Sequence, residues 1–308
     1  KLPFKDDLRI QEVRIQPGGP LKGVHLGAIA PGYDLDRGAL DLTATNDGLS
    51  VQGDADLAGI PSALQVEMDF RAGPPAQVIQ KVSVQASPDA AQLAHIGLAV
   101  PGVLSGAVGV QAVMTSRRDG ADEVAVKADL TPAGLAVKQL HWSKPPGRAA
   151  TAQVRVKLRQ DRVIALEGLR ADGAGIELRG RMDFAAGRPR RLQLQRLALG
   201  APGKPLATDI AGSLAWPDQP GAPWVAVVDG PSLDASDEFT RDAAPQAGKP
   251  PGKPPTGPAW QVQARLGRVL VADGEALTGV VAQAQNNGDF TTRATLSGAT
   301  QPSGGVPG

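Results

Sequence analysis

The chain has 308 residues, 42% of them hydrophobic, which suits one large β domain or about two ordinary ones and excludes global disorder. Its 32 basic and 31 acidic residues leave a net charge of +1, which makes no case for a nucleic-acid partner, and the lack of cysteine excludes disulfide frameworks, thiolate zinc sites and cysteine nucleophiles. With only 3% aromatics, the core must come from Val, Leu, Ile and Ala, while 38 Gly and 27 Pro predict many turns and few long helices.

The dominant pattern along the chain has period two. Successive side chains of a strand point to opposite faces, so alternation marks a strand with one dry face and one wet face. Leu40, Leu42 and Ala44 lead through the turn "NDG" (46–48) to Leu49 and Val51, a hairpin. Leu64, Val66, Met68 and Phe70 run into "RAGPP", and Val82 and Val84 follow. "SPDAAQLAHIGLAV" (87–100) predicts a short helix packed on the sheet, starting near Asp89 with Leu93 and Ile96 on one face. Val124, Val126, Ala128 and Leu130 alternate again. In "AQVRVKLR", Val154, Val156 and Leu158 alternate with Arg155, Lys157 and Arg159.

Ile176, Leu178, Met182 and Phe184 then run into "AAGRP", followed by Leu192 and Leu194. At Gln195–Arg196 the phase slips to Leu197 and Leu199, which predicts a β-bulge. "SLDASDEFTRD" (232–242) is a second helix candidate, capped by Ser232 or Asp234. Residues 243–258, "AAPQAGKPPGKPPTGP", cannot pair in a sheet and read as an exposed Pro/Gly-rich flexible loop. Trp260, Val262, Ala264 and Leu266 resume the alternation.

"MDFRAGPP" (68–75) and "MDFAAGRP" (182–189) match at six of eight positions, 114 residues apart. Each reads as a strand end with two large apolar groups on one face, then a tight turn in which Gly bends the chain and Pro stops the pairing. The pair is either two similar hairpins or an internal repeat. The resulting organisation is a β segment over 1–242 with a weak repeat (about 35–120 and 121–230), the loop 243–258, and an incomplete β continuation over 259–308. The ends "KLPFKDD" and "QPSGGVPG" read as those of an internal segment of a longer protein.

No catalytic constellation emerges. His25, His95 and His141 have no His, Asp or Glu at helical ligand spacing, so each reads as a bystander and no metal is expected. "GAPGKP" (200–205) lacks the rest of a phosphate loop, and "GAGIELRG" (173–180) opens a strand, not the helix that a dinucleotide fingerprint needs. Asp34 with Asp36, and Asp54 with Asp56, stand at strand spacing and read as a solvated face rather than an acid–base pair. The few aromatics argue against a carbohydrate-binding face. No cofactor is expected. What remains is a set of strands with aliphatic faces and too few helices to cover them, and such a patch marks a binding surface.

Three stretches carry a resemblance. "DLTPAGLAVKQLHWSKPPGRAATAQVRVKL" (129–158) resembles a pattern of large AsmA-like proteins of the YhdP type, centred here on Trp142, Lys144, Pro146 and Gly147, with Pro145 as an extra residue. "VVDGPSLDASDEF" (227–239) and "LAGIPSALQVEMDF" (57–70) resemble two further elements, and the likeness covers about residues 35 to 300. The resemblance implies a bridge-like lipid-transfer protein of the Gram-negative periplasm. Its inner-membrane anchor would lie outside this segment, and its repeated β units would form a groove that carries phospholipid acyl chains between the two membranes, with no catalytic residues. The expectation is therefore a mainly β chain, a long, curved antiparallel sheet forming an open groove or stacked β units, with one or two short helices. Leu64, Val66, Met68, Phe70, Val154, Val156, Leu158, Ile176, Leu178, Met182 and Phe184 would line it, with ordinary core as the rival reading of each. The alternative function is a structural or adhesin-like β scaffold that binds a protein partner.

Overall fold

The computed structural model describes residues 17–30, 33–98, 102–138, 142–200, 206–219, 221–236, 257–271 and 275–301. The chain is mainly β, almost wholly antiparallel, open rather than closed, and carries one α-helix among the described residues. In chain order the elements are β1 Gly18–Ala30, β2 Tyr33–Ala44, β3 Gly48–Leu57, β4 Ile60–Asp69, β5 Val78–Ala86, α1 Ala90–His95, β6 Leu104–Ser105, β7 Gly109–Arg117 and β8 Ala121–Asp129. There follow β9 Gly134–Val137, β10 Trp142–Lys144, β11 Thr151–Arg159, β12 Arg162–Gly173, β13 Ile176–Ala185, β14 Arg188–Leu199 and β15 Thr208–Ala215. The last four are β16 Trp224–Asp234, β17 Trp260–Leu270, β18 Ala276–Asn286 and β19 Thr291–Gln301.

Two compact units divide the chain. The first comprises Lys1–Ala99, Ala107–Ala128 and Lys157–Asp161, and its strands are ordered β1-β2-β3-β4-β5-β7-β8. The second comprises Val100–Gly106, Asp129–Val156 and Arg162–Gly308, with strand order β12-β13-β14-β15-β16-β17-β18-β19 and a small sheet β10-β9-β6. Each unit has its own buried apolar cluster. In the first it is Leu35, Leu40, Ala55 and Leu64; in the second it is Leu266, Val269 and Val280.

The period-two pattern sets the pairing because a one-residue slip would turn every apolar side chain to the wet face. The expected bulge is present: Arg179 pairs with Arg196 and Gly180 with Leu194, which leaves Gln195 as the extra residue of β14. Four hairpins close with two-residue loops in which both residues have positive φ: Ala58–Gly59, Gln160–Asp161, Ala174–Gly175 and Ala186–Gly187. These are type I′ turns, whose twist matches that of the strands they join. Their first positions favour Asn, and Ala at φ 51, as in Ala186, carries a steric cost of about 1 kcal/mol. Ala186→Asn is therefore expected to stabilise the protein by about 0.5 to 1 kcal/mol, read as a rise in thermal midpoint.

Several expectations need correction. The two "MDF" stretches do not end alike: β4 is followed by the eight-residue connection 70–77, whereas β13 turns at once through Ala186–Gly187. Pro189 does not stop the pairing, since it stands within β14 opposite Phe184. Asp69 anchors the longer connection by accepting from Arg71 and Gln77, and the Arg71 contacts hold its carboxyl well below the usual range. The helix spans only Ala90–His95, with a capping box between Asp89 and Gln92, and none of its residues is buried, so it covers no part of a sheet. Ser232 and Asp234 belong to β16 rather than to a helix, and the rest of that candidate, residues 237–242, lies outside the described residues, as do 243–256 of the Pro/Gly-rich loop. Finally, β16 and β17 run parallel, Trp224 opposite Trp260 through Asp234 opposite Leu270. A parallel neighbour needs a crossover, and residues 235–259 supply it.

Candidate functional site

Register converts the alternating runs into rows that cross the sheets. In the first unit Leu42, Val51, Val66, Val82 and Met114 stand opposite one another in turn, from β2 to β7. A second row passes through Leu40, Gly53, Leu64, Val84 and Ala112. The other face of the same strands is polar, with Thr43, Ser50, Glu67, Lys81 and Thr115 in one row.

In the second unit an aliphatic row runs through all eight strands: Leu166, Met182, Leu192, Leu214, Ala226, Val262, Ala284 and Ala294. Neighbouring strands lie about 4.8 Å apart, so seven steps span about 34 Å. No residue of this row is buried: seven are half-buried and Ala294 is exposed. A sandwich would bury such a row beneath a second sheet. Burial instead deepens along the strands, toward Ala171, Leu199, Thr208 and Leu266 at one end. At the other end the same face carries Phe184, Trp216, Trp224 and Trp260.

The sequence-chosen residues fall unequally on this surface. Val66 and Met68 are half-buried and lie in apolar rows of the first unit, while Leu64 is buried in that unit's cluster. Leu178 stands opposite Leu197, Ile176 opposite Leu199, Met182 opposite Leu192 and Phe184 opposite Pro189, all on one face of the second unit. Val154, Val156 and Leu158 are half-buried on β11, with Arg155 exposed between the two valines. Phe70 lies past the end of β4 and is 53% exposed, so it is on no strand face.

Charge occupies the opposite face. Arg196 holds Asp209 with a two-pronged contact at 3.1 Å and Glu177 at 2.8 Å, linking β13, β14 and β15. Arg170 pairs with Asp172, whose carboxyl it holds below the usual range. His25, expected as a bystander, bonds Asp36 across strands at 2.6 Å, and that bond raises its pKa. Asp56 pairs with Arg37, so the carboxylates near this end are engaged in ion pairs rather than arranged as a general acid and base. His95 is exposed; His141 and residues 201–205 lie outside the described residues. Among the described residues no group of His, Cys, Asp and Glu could hold a metal, and no helix is long and apolar enough to cross a membrane.

Sequence reasoning missed the tryptophans and Lys144. Each tryptophan had a usable signal. Trp216 stands two residues after Leu214, Trp224 two before Ala226 and Trp260 two before Val262, all in phase with an aliphatic run. No family model, curated protein or solved structure matches this chain.

Proposed function

We propose that the chain holds phospholipid acyl chains on the apolar faces of its sheets, as a non-enzymatic segment of a larger envelope protein. The supporting observation is the uninterrupted aliphatic row from Leu166 to Ala294, half-buried rather than sealed. A bilayer's hydrocarbon core is about 30 Å thick for two opposed chains, so one chain needs about 15 Å and a row of about 34 Å accommodates it along its length. Each CH2 taken from water contributes about 0.8 kcal/mol, and a chain lying on an open face realises about half of that. Affinity then comes from length and dryness, with head groups left in solvent. The AsmA-like resemblance supplies the setting in this reading: the periplasm of a Gram-negative cell, with anchorage in the inner membrane through another part of the protein.

The test is native mass spectrometry after incubation with phospholipid vesicles, followed by extraction and lipid analysis. The expected result is retained phospholipid at defined stoichiometry. Met182→Glu, in the middle of the row, should reduce retention by about tenfold or more, because it places a charge where the chain lies. Circular dichroism checks that the variant stays folded. An apo mass for the unaltered protein, unchanged by vesicles, would refute the reading and leave the scaffold alternative in its place.

A further inference from the structure

The aromatic residues are scattered in sequence and gathered in space. The chain holds five Phe, four Trp and one Tyr. Phe184, Trp216, Trp224, Trp260 and Phe290, half of that total, stand at one end of the second unit's sheet. There β13, β15 and β18 end and β12, β14, β16, β17 and β19 begin. Phe184 faces Pro189, Trp224 faces Trp260, and the Trp216 and Trp224 rings lie 5.5 Å apart at 49°. Phe290 projects from the β18–β19 turn, 61% exposed.

The same end is basic. Arg162, Arg188, Arg190, Arg191 and Arg293 begin their strands there, and only Arg190 has an ion-pair partner among the described residues, Asp218 at 3.6 Å. At the opposite end the arginines are spent within the sheet: Arg170 on Asp172, Arg179 on Glu177, Arg196 on Glu177 and Asp209. Indole rings partition to the boundary between hydrocarbon and water, and arginines beside them meet anionic head groups.

We infer that this rim docks on the interfacial zone of an anionic lipid bilayer, with the aliphatic rows opening toward the acyl region. The inference rests on the lipid-holding reading and names where lipid enters or leaves. The charge is complementary, and the aromatics lie on the same face as the apolar row, which a rim built only to stay soluble would not need. Docking leaves Trp142, buried at the other end of the unit near Gly175, away from the membrane.

Flotation tests it, with mixed phosphatidylcholine–phosphatidylglycerol vesicles compared against pure phosphatidylcholine. The protein should float with the anionic vesicles, release with salt, and show tryptophan quenching by brominated acyl chains that persists undiminished in Trp142→Phe. Arg188→Glu with Arg191→Glu, both at exposed positions, should weaken binding about tenfold or more. Equal binding to both vesicle types, binding without quenching, or an unaffected double variant would overturn the inference. The two readings fail separately. Met182→Glu should lose retained lipid and still float, whereas the arginine variant should stop floating and keep the lipid it already holds.

Discussion

Lys144→Met should cost about 3 kcal/mol of stability. Lys144 is 1% exposed, and its ammonium donates to the carbonyl oxygens of Ala133 at 2.6 Å, Pro145 at 3.1 Å and Thr131 at 3.4 Å. It ties the bend 131–133 to β10, while its backbone pairs with Leu135 of β9. Methionine keeps most of the aliphatic stem and removes all three donors. The carbonyls are then left in a site with no room for water, and each unsatisfied group carries a penalty of about 1 to 3 kcal/mol. Urea unfolding should show a lower midpoint with an unchanged slope. A loss below about 0.5 kcal/mol would mean that the bend holds its shape without the ammonium.

Gly175→Ala should be destabilising by a similar amount, about 3 kcal/mol. Gly175 closes the β12–β13 turn at φ 81, in the left-handed region where a side chain is strained. It also bonds Gly200, whose amide donates to the Gly175 carbonyl at 2.9 Å. A Cβ at this position would overlap the Gly200 carbonyl oxygen and would stand 3.6 Å from the Trp142 indole nitrogen. Strain and overlap act together, so the turn must withdraw from β14. The expected readout is a lower thermal midpoint with a changed near-ultraviolet signal from Trp142. Unchanged stability would show that the turn does not abut Gly200.

What was legible in the sequence follows from what a single strand knows about itself. Alternation identified strand faces from Leu40 to Leu266, because burial on one side imposes period two regardless of the neighbour. The bulge at Gln195 was legible for the same reason, since an inserted residue must reverse the phase. The direction of β17 was not, because an alternating strand reads identically in a parallel or an antiparallel partnership. Lys144 was hidden by its residue type: lysine is rarely buried, and three carbonyls meeting at one point belong to tertiary structure. The aromatic rim was hidden by distance. Phe184 and Phe290 are 106 residues apart and come to one end only through the strand register. Scarcity of aromatics, taken as an argument against a function, concealed where the few were placed.

The open sheet of the second unit has a further consequence for size. A closed barrel couples strand number, tilt and shear, so adding a strand changes the geometry of every other. Here β19 pairs only with β18 among the described residues, and no such constraint operates. One added hairpin would lengthen the aliphatic row by about 10 Å while leaving each existing pair in register. Reach and local chemistry are thus independent variables, and selection can alter the first by duplicating hairpins without renegotiating the second.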